Sequence, residues 1–287
     1  MKLLNYIEND KIKLGIQCEQ GIIDVEKSAK VHSLDVPISM EEVISRGVAG
    51  AHILDKLIGQ EHNFIPEEEI TFAPPVMNPE KILCVGLNYL SHSKEAKEEQ
   101  PKYPVLFSKC NNVLSAHKQN VVLPKVATKY DYEVELVIVI GKEAKNVSKE
   151  DALSYVFGYT IGNDLSARDL QYRTSQWFLG KSLDGFAPIG PYLVMADDID
   201  PNNVDLSCTV NGKVCQTSNS SNMIFDCATI ISYASQFMTL KPGDLIFTGT
   251  PSGVMLGYPE SQQNWLKSGD EVTVSIENIG SLTNVLV

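Results

Sequence analysis

The run Tyr130-Asp131-Tyr132-Glu133-Val134-Glu135-Leu136, continuing as Val137-Ile138-Val139-Ile140, sets two carboxylates two residues apart in a stretch that otherwise reads as an apolar strand. A strand has period two, so Glu133 and Glu135 share one face while Tyr132, Val134 and Leu136 take the other. Adjacent carboxylates repel and are tolerated where positive charge lies between them, for which a divalent cation is the simplest source. Asp164, following the apolar run 156–161, offers a third oxygen. Three carboxylates suit Mg²⁺ or Mn²⁺ better than Zn²⁺, which favours Cys and His. Spacing alone leaves open a solvated strand face on an acidic protein.

The chain has 287 residues and a formal net charge of −12, room for one large or two modest domains. Such a charge argues against a nucleic-acid partner, since phosphate binding requires clustered Lys and Arg. It also fits a small anionic substrate only where a metal and a few basic residues invert the field locally. The six cysteines form no CxxC pair and no disulfide framework. Met1-Lys2-Leu3-Leu4 opens no signal peptide, and the apolar runs are too short to span a membrane. The expectation is a cytoplasmic protein with free thiols and no membrane partner.

Residues 1–75 read as a small N-terminal α+β domain and 80–287 as the main domain. Strand-like runs at 2–7, 12–17 and 22–25 are divided by Asn9-Asp10 and Gly21. Ser39-Met40-Glu41-Glu42 has a capping-box pattern predicting a helix that ends near Gly47, with a second helix over 51–58. Prolines 66, 74, 75 and 79 mark the boundary segment. From Lys81 onward the pattern is mostly β, with Asn211-Gly212 as a strong hairpin signal. Strands are expected at 82–85, 105–108, 121–123, 133–140, 156–161, 191–194, 206–210, 245–248, 272–276 and 283–287. Helices are expected at 148–155 and 225–238, the latter presenting Phe225, Ala228, Ile231, Ala234 and Phe237 on one face. Many strands and few helices predict a folded-over, mixed β-rich α+β architecture.

Several ordered motifs together resemble the fumarylacetoacetate hydrolase superfamily over roughly residues 80 to 287. They are Cys84-Val85-Gly86-Leu87-Asn88-Tyr89-Leu90-Ser91-His92-Ser93-Lys94-Glu95, Pro104-Val105-Leu106-Phe107-Ser108-Lys109, Asp131 to Leu136, Asn163-Asp164-Leu165-Ser166-Ala167-Arg168-Asp169-Leu170-Gln171, Gly180-Lys181-Ser182 and Thr248-Gly249-Thr250-Pro251-Ser252-Gly253. The joint pattern is far more specific than any one piece. The resemblance implies a β-roll core, bound Mg²⁺ or Mn²⁺ (Ca²⁺ in some relatives), and a homodimer. It implies Glu133, Glu135 and Asp164 as metal ligands. His92, with Glu95 three residues on, becomes a general base whose tautomer the carboxylate holds. The resemblance places Lys181 at the reacting centre as an enolate stabiliser. Arg168 clamps a substrate carboxylate or holds the ligand shell. Gln171 and Thr250 face substrate, and Lys109 lies near the rim. The chain departs from the family at Gly253-Val254-Met255 and at Cys110-Asn111-Asn112, which puts substrate identity in doubt.

The implied activity is metal-dependent C–C cleavage of a small anionic 2,4-dioxo acid, of acylpyruvate or fumarylpyruvate type, through a pyruvate enolate. The same machinery without water attack gives oxaloacetate decarboxylation or 2-hydroxydienoate isomerisation. A non-catalytic metal-bound module is the alternative from another class. Intact His92, Glu95 and Lys181 argue against it.

Overall fold

The computed structural model describes residues 1–91 and 100–287. At its centre is strand Val134–Ile140, buried at every position. Its alternation feeds two cores: Val134, Leu136, Ile138 and Ile140 pack on one side, Val137 and Val139 on the other. A strand buried on both faces reads as a continuous apolar run, as this one does apart from Glu135. It pairs antiparallel with Val156–Asn163 and with Leu245–Phe247, which pairs parallel with Ile82–Gly86, which in turn pairs antiparallel with Val105–Lys109.

On the other flank, Val156–Asn163 pairs with Ala187–Met195, and that strand pairs with Lys2–Glu8 at Leu3↔Leu193 and Lys2↔Val194. The N-terminal strands Lys2–Glu8, Lys11–Cys18 and Gly21–Asp24 therefore continue the central sheet. A second, four-stranded sheet contains Asp205–Val210, Lys213–Asn219, Glu271–Ile276 and Gly280–Val285. Its hairpin turns at Asn211 (φ 50) and Gly212 (φ 77), the left-handed pair that a type I′ turn requires.

The helices depart more from expectation. Ser39 accepts from the Glu42 N–H and starts Met40–Ala51, whose helical geometry breaks at Gly47 (φ 68, ψ 177). The second expected helix is a 3₁₀ turn, His52–Leu54, followed by one helical turn, Asp55–Ile58. Over 148–155 only a 3₁₀ turn forms, Ala152–Tyr155, after a turn in which the Ser148 hydroxyl donates to the Asp151 carboxylate and accepts from the Asp151 N–H. The last helix is Cys227–Phe237, capped by Asp226. Phe225 precedes that cap and Phe237 is exposed, so the buried face is Cys227, Ala228, Ile230, Ile231 and Ala234. Residues 121–123 form no strand of their own. Val121 and Leu123 instead donate to the carbonyls of Val285 and Val287.

Candidate metal centre

Antiparallel pairing sets Gly162 opposite Glu135 and Asn163 opposite Val134. Asp164 follows directly, its N–H donating to the Glu133 carbonyl at 2.9 Å. The two acidic segments meet through neighbouring strands joined by a loop and a 3₁₀ turn, without the helix expected over 148–155. The expected strand 130–140 is interrupted: Tyr130–Asp131 pairs with Ser166–Ala167, and regular pairing resumes at Val134. The reason is a side-chain substitute for the ladder, the Asn163 Oδ1 accepting from the Glu133 N–H at 3.0 Å.

Glu133, Glu135 and Asp164 are buried, and each offers a carboxylate oxygen within 4.8 Å of those of the others. Each carboxylate is anchored through one oxygen. Arg168 Nη2 donates to Glu133 Oε1 at 2.6 Å, the Gly249 N–H donates to Glu135 Oε2 at 2.7 Å, and the Lys109 ammonium holds Asp164 Oδ1. The second oxygens of Glu133 and Asp164 meet at the Lys181 ammonium, at 2.7 and 2.8 Å. Hard oxygen donors, converging and individually oriented by outer partners, fit a divalent cation of the Mg²⁺ or Mn²⁺ kind.

The electrostatics follow from burial. Glu135 is driven well above the ordinary carboxylate range by loss of water, then by the charges of Asp164 and Glu133, against weaker relief from Lys181 and the Gly249 N–H. Burial alone would lower the Lys181 pKa, but Asp164 and Glu133 outweigh it and the net shift is upward. Arg168 behaves in the same way between Asp131 and Glu133. Both cations therefore stay charged at neutral pH.

Of the residues singled out in the sequence, Glu133, Glu135, Asp164, Arg168, Gln171, Lys181 and Thr250 line one cavity, beside Phe107 and Trp177. Lys109 is not at the rim. It lies buried behind Asp164 and also donates to the Phe186 carbonyl at 2.7 Å, because Asp164 needs a counter-charge there. Arg168 spends Nε on Asp131 at 2.8 Å, Nη1 on Gln171 Oε1 at 2.9 Å and Nη2 on Glu133. His92 and Glu95 lie outside the described residues.

Two contributors escaped residue-level reading. Asp131 is fully buried and accepts from Arg168, from the Tyr132 and Met255 N–H groups on Oδ1, and from the Leu256 N–H on Oδ2. Its position within the acidic motif was the available signal. Gln216, on the second sheet, joins Val134 to Thr250 and Pro251, and no local pattern marks it.

The family model described as fumarylacetoacetate (FAA) hydrolase C-terminal matches residues 81–287. The chain belongs to the fumarylacetoacetate hydrolase family. It is 41% identical to the mitochondrial oxaloacetate tautomerase Fahd2a of Rattus norvegicus over 98% of this chain and 89% of the rat protein. Among solved structures, the fumarylacetoacetate hydrolase of Exiguobacterium antarcticum is similar with a TM-score of 0.83 and 34% identity, covering 100% of this chain and 99% of that one. The 5-carboxymethyl-2-hydroxymuconate delta-isomerase of Mycobacterium smegmatis is similar with a TM-score of 0.77 and 31% identity, at the same coverage. The expected β-rich α+β architecture with a small N-terminal region is thus the family's fold. No helix among the described residues is long and apolar enough to cross a membrane, and all six cysteines are unbridged.

Proposed function

We propose that this family member is a metal-dependent tautomerase of small 2-oxo acids, with dicarboxylates of the oxaloacetate type as its substrate class. The observation that carries this reading is the likeness, across nearly the whole chain, to a protein named as an oxaloacetate tautomerase. It favours the enolate chemistry without water attack over C–C hydrolysis. Tautomerisation moves one proton between C3 and the 2-oxo oxygen, and breaks no carbon–carbon bond.

Glu133, Glu135 and Asp164 hold the metal in this reading, which supplies Lewis-acid polarisation of the 2-oxo group when bound. Lys181, kept charged by Glu133 and Asp164, stabilises negative charge developing on the enolate oxygen. In this reading His92, with Glu95 three residues on in the sequence, is the acid–base that carries the proton between C3 and the 2-oxo oxygen. Arg168 supports this indirectly by fixing Glu133 and Gln171. Since Arg168 can only donate, it takes the Gln171 oxygen and leaves the Gln171 NH₂ as the group presented to substrate. A homodimer belongs to the same proposal, and light scattering tests it.

Acylpyruvate-type hydrolysis is the second reading, favoured by the likeness to the Exiguobacterium hydrolase. Proton NMR of oxaloacetate in D₂O with Mg²⁺ separates the two. Tautomerisation predicts enzyme-dependent wash-out of the C3 protons faster than any loss of the carbon skeleton. Carbon–carbon cleavage of acylpyruvates with no accelerated exchange on oxaloacetate would overturn it.

A further inference from the structure

Strand Lys213–Asn219 belongs to the second sheet, away from the triad, yet it sends one side chain to the site. Pairing with Asp205–Val210 slips between Cys208↔Gln216 and Thr209↔Val214, leaving Cys215 as an extra residue. A bulge of this kind re-aims the side chains beside it. Gln216 is 1% exposed, whereas its neighbours Cys215 and Thr217 are not buried. Gly253 seals this contact: a Cβ there would meet the Cys215 carbonyl oxygen at 2.2 Å, so the loop after Thr250 lies directly on the bulge.

The Gln216 amide has no freedom to turn over. Its Oε1 accepts from the Val134 N–H at 3.0 Å, and an N–H can only donate. Its Nε2 donates to the Pro251 carbonyl at 3.0 Å, and a carbonyl can only accept. The same Nε2 lies 2.9 Å from Thr250 Oγ1, so the Thr250 oxygen is the acceptor in that bond. The Thr250 hydroxyl proton must then point elsewhere, and Thr250 lines the cavity.

We propose that Gln216 is a positioning residue for substrate recognition, which fixes Thr250 as a hydrogen-bond donor into the active cavity. With the Gln171 NH₂ left free of Arg168, which takes the Gln171 oxygen, two side chains lining the cavity then offer donors to it. Such a pair selects substrates carrying a carboxylate oxygen there over those carrying an amide N–H or an alcohol. The inference rests on the 2-oxo acid reading for its substrate and adds a residue from the second sheet to the site. It is independent of which residue moves the C3 proton.

The test is a double-mutant cycle on the Mg²⁺-loaded enzyme with oxaloacetate, using Gln216→Met, Thr250→Val and the combination. Wild type is assayed first: a wild type without tautomerase activity would sink the functional reading and is thereby distinguished from failure of this inference. Loss of one hydrogen bond to a charged substrate oxygen should raise KM roughly ten- to a hundredfold in either single variant, with kcat within about twofold. If Gln216 acts through Thr250, adding Gln216→Met to Thr250→Val changes KM no further. Independent, multiplying effects, or a fall in kcat with KM unchanged, would overturn the proposal. Mn²⁺ affinity by calorimetry should match wild type in all three proteins, and a large change would reassign Gln216 to the metal shell. Should Gln216→Met not fold, Thr250→Ser set against Thr250→Val keeps the test: Ser retains wild-type KM and Val does not. Equal KM for those two would refute the donor.

Discussion

Lys181 holds an ammonium between Glu133 and Asp164 where none of the three side chains is more than 6% exposed. Removing one partner of a buried ion pair leaves the others unpaired at a cost of about 3–5 kcal/mol. Lys181→Met should lower the unfolding free energy of metal-free protein by about that amount in urea titrations, and less with Mg²⁺ present. An unchanged midpoint would mean the cation is not part of the buried network. Glu135 has the opposite balance: its hydrogen-bond partner among the described residues is the Gly249 N–H, while two carboxylates crowd it. Its raised pKa means its ionisation opposes folding: this penalty is absent at low pH and grows as pH rises towards neutrality. Glu135→Gln should therefore raise the melting temperature of chelator-treated protein and remove the further rise that Mg²⁺ gives wild type. A melting temperature lowered in chelator would contradict this balance. The paired glutamates were legible because period two on an apolar strand leaves them no polar surroundings. Asp131 and Gln216 were less so, since their partners at positions 255, 256, 250 and 251 are remote in sequence. The place of Lys109 was misjudged because sequence does not say which carboxylate lacks a counter-charge.

At the scale of elements, most strands were readable from their β-branched runs; residues 121–123 formed none, and the strand expected from 130 lost its ladder at Glu133, where Asn163 takes the N–H. Helices were less readable: at Ser148 and Asp151 the cap-type hydrogen bonds that suggest a helix are followed only by a 3₁₀ turn. His117, unmarked by any motif, joins its loop to strand Gly280–Val285 by accepting from the Thr283 N–H at 3.0 Å and packs edge-on against Phe72. Burial, then the charge of Lys118, lowers its pKa to about 4, with weaker opposition from Glu67. The native state thus prefers the neutral ring. That preference adds full stability above the unfolded value near 6.5 and is lost as pH falls through about 4. NMR titration of the imidazole should show a midpoint near 4, and a midpoint near 6.5 would mean the ring is solvated.

Over the whole molecule, the division at residues 75–80 suggested by proline spacing meets a continuous sheet. Lys2–Glu8 covers the edge of Ala187–Met195, and residues from Leu3 to Leu57 share a core with Val137, Phe157 and Phe247. A fragment of residues 80–287 should expose that edge and its apolar face and aggregate. A soluble fragment with a cooperative melting transition would show instead that the two parts fold separately. Composition gave no hint that cations would gather inside an acidic chain, since net charge does not report local pairing. The central claim is that the buried triad and Lys181 serve enol–keto exchange of a 2-oxo acid. Its most direct measurement is the rate at which enol-oxaloacetate absorbance decays with enzyme, Mg²⁺ and product analysis, repeated under chelator and in Glu135→Gln. Accelerated decay to keto-oxaloacetate without pyruvate, abolished by both chelation and substitution, is the predicted result. Decay no faster than buffer with Mg²⁺, or acceleration that survives either treatment, would contradict it.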